Sequence, residues 1–186
     1  LSFGDAKESG CAAGRTSRPP PSAEARSNHR TRGNMAFEFP IRIYWEDTDA
    51  GGIVFYANYL KFFERARTEW LRSLGIGQQT LREQTGGMFV VTHSQVRYLR
   101  PARLDDELIV TAQLQEAGRA SLTILQRALL KPEHDGGGGR GMTENSPALL
   151  SEGAIRIGWV DAATLKPARI PSPLLDQLSS TSNTTT

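Results

Sequence analysis

One stretch limits the fold more than any other. In NYLKFFERARTEWLRSLG, residues 58–75, Tyr59, Phe63, Ala66, Trp70 and Leu74 recur at helical spacing, and Phe62 widens the apolar stripe. Lys61, Glu64, Arg65, Thr68 and Arg72 fill the opposite side. Asn58 is a natural N-cap and Gly75 a natural C-terminal stop, so the pattern predicts an amphipathic helix of about 16 residues. Its large aromatics need a broad apolar surface to lie against. Strand-like segments supply one: FEFPIRIYW (37–45), MFVVTHSQVRYL (88–99), LIVTAQLQ (108–115), ASLTILQRALL (120–130) and AIRIGWV (154–160) are β-branched, aromatic or alternating. One long helix and about five antiparallel strands predict an α+β fold in which the sheet wraps the helix.

The 186 residues, 38% of them apolar, suffice for one core. No apolar run approaches the ~18 residues of a spanning helix. Residues 1–34 are rich in Pro, Ser, Gly and Arg without apolar periodicity, and we read them as a disordered or non-native extension upstream of a start at Met35. They lack the apolar centre of a secretory signal, which argues against export. The expected organisation is therefore 1–34 extension, 35–172 folded domain and 173–186 disordered C-terminal tail. The extension holds six of the 22 bases and three of the 20 acids, so the body is near neutral and has no general footprint for nucleic acid. It also holds the lone cysteine, Cys11, which removes disulfides, thiol nucleophiles and thiolate metal sites from the body.

What chemistry the body carries depends on EDTDAGG, residues 46–52. As a calcium loop it lacks the later oxygen ligands and the closing Glu, because GGIVFYA is nearly all apolar. His93 and Ser94 adjoin on a strand and point to opposite faces, so they form no base and nucleophile pair. The glycine run 136–139 precedes no Lys-Ser/Thr and is read as a flexible connection, not a phosphate loop. A carboxylate acting on water or as a nucleophile is what is left for hydrolysis. Asp47 and Asp49 share one face while the chain stays extended. Just beyond them the backbone enters a helix, whose first N–H groups and positive dipole end suit a developing oxyanion. Gly51 and Gly52 let a substrate approach the main chain. A solvated acidic turn before a helix fits the same residues, since turns attract Asp and Gly for their own reasons.

RIYWEDTDAGGIVFYANYLKFFERAR, continued by FVVTHSQVRYLRPARLDDELIV, resembles the 4-hydroxybenzoyl-CoA thioesterase family over nearly all of the body. It most resembles the bacterial acyl-CoA thioesterase branch associated with the Tol-Pal envelope system. The resemblance implies a hotdog fold and hydrolysis of acyl-CoA without a cofactor or metal. It places the catalytic carboxylate on Asp49, the oxyanion donor on the backbone N–H of Tyr56, and substrate contacts on Gly51, Gly52 and Tyr59. It further implies a homodimer or homotetramer with the site between protomers, a cytoplasmic location at most peripheral to the inner membrane, and an envelope or lipid-synthesis protein as partner. Where that branch often has His, this chain has Tyr56, which bears on acyl preference but not on a backbone donor. Arg97, Arg100, Arg103 and Lys131 are available to the CoA phosphates, and none is assigned. A non-catalytic acyl-binding or scaffolding subunit is the competing expectation.

Overall fold

The computed structural model describes residues 36–132 and 147–180. The extension 1–34 and nearly all of the Gly-rich connection lie outside them. Five strands, β1 (Phe37–Arg42), β2 (Gly87–Tyr98), β3 (Glu107–Ala117), β4 (Ser121–Leu130) and β5 (Ala148–Asp161), form one antiparallel sheet in the order β1-β3-β4-β5-β2. Three helices accompany it: α1 (Asn58–Ser73), α2 (Gln78–Thr85) and α3 (Ser172–Ser180).

The predicted stripe sets how α1 lies. Tyr59, Phe62, Phe63, Ala66 and Trp70 are buried, and the helix packs on β1, β3 and β4. The strands answer with alternation: Leu108, Val110 and Ala112 on β3 and Leu122, Ile124 and Ala128 on β4 point inward at every second position. Gln126 takes an inward position too, fully buried, with partners for both its amide and its oxygen. Its amide donates to the Phe63 carbonyl at 2.9 Å and its oxygen accepts from Arg67 at 2.6 Å. Gly75, with φ +77°, ends α1 as expected, because a left-handed residue after the helix favours glycine.

Four expectations are corrected. The first strand stops at Arg42, and Trp45–Asp47 form a 3-10 turn. The N-cap is Ala57, which makes no side-chain cap bond, while Asn58 is the first helical residue. Helix α2 was not foreseen, because QQTLREQT buries no residue completely and so carries no apolar stripe. The tail expected to be disordered from 173 is helical as far as Ser180, because Leu174 and Leu178 join the core beside Trp70 and Ile76. Gln177 on α3 also donates to the Leu74 carbonyl at 2.6 Å, at the end of α1. Gln177→Ala should cost about 0.5–1.5 kcal/mol in a denaturant melt, the net worth of one such bond.

Candidate active site

The acidic segment folds into a small hairpin that opens α1. Its pairings are Phe55 N–H to the Asp47 carbonyl (2.9 Å), Thr48 opposite Val54, and Asp49 N–H to the Ile53 carbonyl (2.9 Å). At the tip, Gly52 N–H donates to the Asp49 carbonyl at 3.0 Å and Gly51 N–H to its carboxylate Oδ1 at 2.8 Å. Both glycines have local reasons. Gly52 sits at φ +70°, where a side chain is strained, and a Cβ on Gly51 would come within 3.1 Å of the Asp49 Oδ1 it binds.

The two aspartates do not share a face, because the 3-10 turn breaks the extended chain just before the hairpin. Asp47 turns inward at 5% exposure, and its carboxylate accepts the Tyr44 N–H at 3.0 Å. Asp49 is exposed, with Oδ1 engaged by the tip. The Asp47 carbonyl also accepts the buried side-chain amide of Asn58 at 2.9 Å. Asp47 and Asn58 thus clamp the hairpin to the first turn of α1. Reading Asn58 as a cap missed this clamp; its amide donates back across the turn instead of accepting a helix N–H.

At the helix start the backbone N–H groups divide into two sets. The N–H groups of Asn58, Tyr59 and Leu60 bond back to the carbonyls of Phe55, Tyr56 and Ala57, whereas those of Tyr56 and Ala57 meet no acceptor among the described residues. They lie at the positive end of the helix dipole. Around them aromatic rings stay exposed: Phe55 contacts Tyr56 at 4.7 Å between centroids, and Tyr56 meets Tyr98 edge-on at 6.0 Å. A carboxylate able to act as a base or nucleophile and N–H donors without an acceptor among the described residues thus lie along one short stretch of chain, beside exposed aromatic rings.

Tyr59, expected at the substrate, lies in the core at 3% exposure. Its hydroxyl accepts the Ala102 N–H at 3.1 Å, and the Ala102 carbonyl accepts the Val54 N–H at 2.9 Å, so Tyr59 braces the hairpin from below. Burial holds its phenol above the ordinary tyrosine range, opposed by the Ala102 bond and assisted by Asp106 and Tyr98. A raised phenol contributes stability that is complete below about pH 10 and is lost as pH climbs through the folded value. Tyr59→Phe should therefore be less stable than the wild type at neutral pH, by about 1–3 kcal/mol for the buried Ala102 N–H left without its acceptor, and the gap should narrow above about pH 10.

Of the four cations open to a phosphate, Arg97 pairs with Glu152 at 2.8 Å and Lys131 with Glu107 at 2.6 Å. Arg100 and Arg103 have no carboxylate partner among the described residues. No group of three His, Cys, Asp or Glu able to hold a metal occurs among the described residues, and no described helix is long and apolar enough to cross a membrane.

Comparison with known proteins decides the family. The chain is 39% identical over 135 residues to the acyl-CoA thioesterase YbgC of Haemophilus influenzae, covering 73% of this chain and 88% of that one. The chain belongs to the thioesterase superfamily. The superfamily's own model matches residues 51–135, starting just past Asp49. A Helicobacter pylori acyl-CoA thioesterase YbgC is 31% identical over 144 residues, covering 74% of this chain and 96% of its own. The hotdog thioesterase fold is shared with a probable thioesterase from Bartonella henselae, at 27% identity and TM-score 0.62, covering 74% of this chain and all of that one. A Staphylococcus aureus protein solved in complex with CoA has the same fold at TM-score 0.64 and 15% identity, covering 81% of this chain and 84% of its own. Fold class and superfamily thus agree with the sequence reading.

Proposed function

We propose that this superfamily member hydrolyses acyl-CoA thioesters to free acid and CoA, using the Asp49 carboxylate and the backbone N–H of Tyr56, without a cofactor. The observation that carries the reading is one pinned hairpin presenting an exposed carboxylate and an unengaged helix-start N–H, in a chain whose curated relatives are named acyl-CoA thioesterases. The thioester oxygen takes the Tyr56 N–H, which stabilises the negative charge of the tetrahedral intermediate. Asp49 then follows one of two balanced routes. It attacks the carbonyl carbon and expels CoA thiolate, leaving a mixed anhydride that water cleaves; or it removes a proton from water, whose oxygen attacks as thiolate departs. Thiolate leaves readily, so neither route needs a strong general acid. Gly51 and Gly52 keep the tip low enough for substrate to pass, while Tyr59 supports the site without touching it.

The proposal extends to a homodimer or homotetramer with the site between protomers. Its support is β2, a 12-residue edge strand paired among the described residues with β5 alone and exposed from 91 to 95. Association with the Tol-Pal envelope system, and action in the cytoplasm at or near the inner membrane, rest on the resemblance of the DTDAGG and PARLDD stretches to that branch.

Free-thiol release from short-chain, long-chain and aromatic acyl-CoAs by the full chain is the test. Turnover on at least one is expected. Binding without thiol release on every one would favour the acyl-binding or scaffolding subunit instead.

A further inference from the structure

The first turn of α1 is anchored by Asn58 and Tyr59, but the turn that leads into it, Tyr56–Ala57, is not held by a side-chain cap. Ala57 at the N-cap offers no side-chain acceptor, and the Asn58 amide is committed to the Asp47 carbonyl. Tyr56 itself is 61% exposed, and its backbone N–H bonds to nothing among the described residues. Its neighbour Phe55 is tied to the hairpin by its N–H on the Asp47 carbonyl, and its ring contact with Tyr56 is local.

The long-range ring contact of Tyr56 is with Tyr98, the last residue of β2, at 6.0 Å and an interplanar angle of 79°. The same Tyr98 ring meets Tyr59 at 5.7 Å and 62°. Tyr59 is in turn immobilised, buried and bonded to Ala102, whose carbonyl holds the hairpin strand through Val54. A continuous path therefore runs from the sheet edge through Tyr98 to the residue bearing the donor. Edge-on aromatic contacts have a preferred geometry as well as an attraction, so such a ring restrains orientation and not merely distance. The Tyr98 hydroxyl makes no hydrogen bond among the described residues, which assigns the holding to the ring.

We propose that Tyr98 is a positioning residue for thioester hydrolysis: its ring, set edge-on against Tyr56 and Tyr59, fixes the turn that presents the Tyr56 N–H. The inference rests on the donor role given to Tyr56 above. A donor that serves the developing oxyanion stabilises the transition state more than the bound substrate, so disturbing it lowers kcat and spares KM.

The test is steady-state kinetics of the full chain on an acyl-CoA that the wild type turns over, with folding checked by far-UV circular dichroism. Tyr98→Leu should lower kcat by roughly 10- to 100-fold, the effect of misplacing a reacting geometry by about 1 Å, with KM little changed. Tyr98→Phe, which keeps the ring, should restore kcat. Tyr56→Ala, which removes the ring and keeps the N–H, should reproduce the loss, and adding Tyr98→Leu to it should cost little more, because contacting residues in one path are not additive. A folded Tyr98→Leu with wild-type kcat, or losses that multiply in the double variant, would overturn the inference. Should Tyr98→Leu not fold, Tyr56→Ala decides, since that exposed side chain can be lost without unfolding the protein, and wild-type kcat there overturns the inference. A wild type inert on every acyl-CoA would overturn the thioesterase reading and this inference together; an active wild type indifferent to these changes would overturn this inference alone.

Discussion

Phe63→Ala should lower the free energy of unfolding by about 3–5 kcal/mol in a urea titration, the range for removing a buried ring without collapse of the site. Phe63 is fully buried on α1 and faces Gly153 of β5, where a Cβ would lie 3.3 Å from ring atom Cε2. The Phe63 ring can reach this near to β5 because Gly153 has no side chain there. The complementary change, Gly153→Ala, should cost about 1–3 kcal/mol by overpacking, since the added methyl also meets the Gln95 carbonyl and Val96 at 3.1 Å. In contact, the two substitutions should couple: Gly153→Ala should cost less in a Phe63→Leu background than alone. A loss below about 1 kcal/mol for Phe63→Ala would contradict the packing of α1 on the sheet.

The fold was legible where burial imposes a period. The stripe from Tyr59 to Trp70 repeats at helical spacing because one side of α1 is covered, and β3 and β4 alternate because one face of the sheet is. Helix α2 left no trace, since its eight residues touch the core only through the half-buried Leu81. Helix α3 left only a short one, Leu174 and Leu178 four apart behind Pro173 among polar residues.

Within the candidate site, the choice of Asp49 and of the Tyr56 N–H came from the family resemblance, whereas the acidic turn, Gly51, Gly52 and a helix start could be singled out because they are local features. The division between the aspartates could not. Whether Asp47 turns inward depends on the 3-10 turn and on Asn58, eleven residues on, reaching back to its carbonyl. The place of Tyr59 on the stripe is visible in sequence, but its partner Ala102 comes from a distant segment. Tyr98 escaped notice altogether, because only the folded chain brings the end of β2 to the start of α1.

Those two aspartates also separate activity from stability. Asp49→Asn keeps side-chain volume, and the amide oxygen can still accept the Gly51 N–H, so the variant should unfold with the wild type. It has lost the negative charge to which we assign the role of base or nucleophile, and under that proposal kcat for acyl-CoA hydrolysis should fall by roughly 10²- to 10⁴-fold, the usual worth of a positioned base. Asp47→Asn should do the reverse. Its buried carboxylate accepts a backbone N–H at 3.0 Å, and exchanging a charged acceptor for a neutral one should cost about 1 kcal/mol of stability while catalysis persists. The most direct test of the account is therefore the initial rate of CoA release by wild type, Asp49→Asn and Asp47→Asn on one acyl-CoA, measured at matched concentrations of folded protein. The account predicts collapse in Asp49→Asn alone; equal rates in wild type and Asp49→Asn would contradict it.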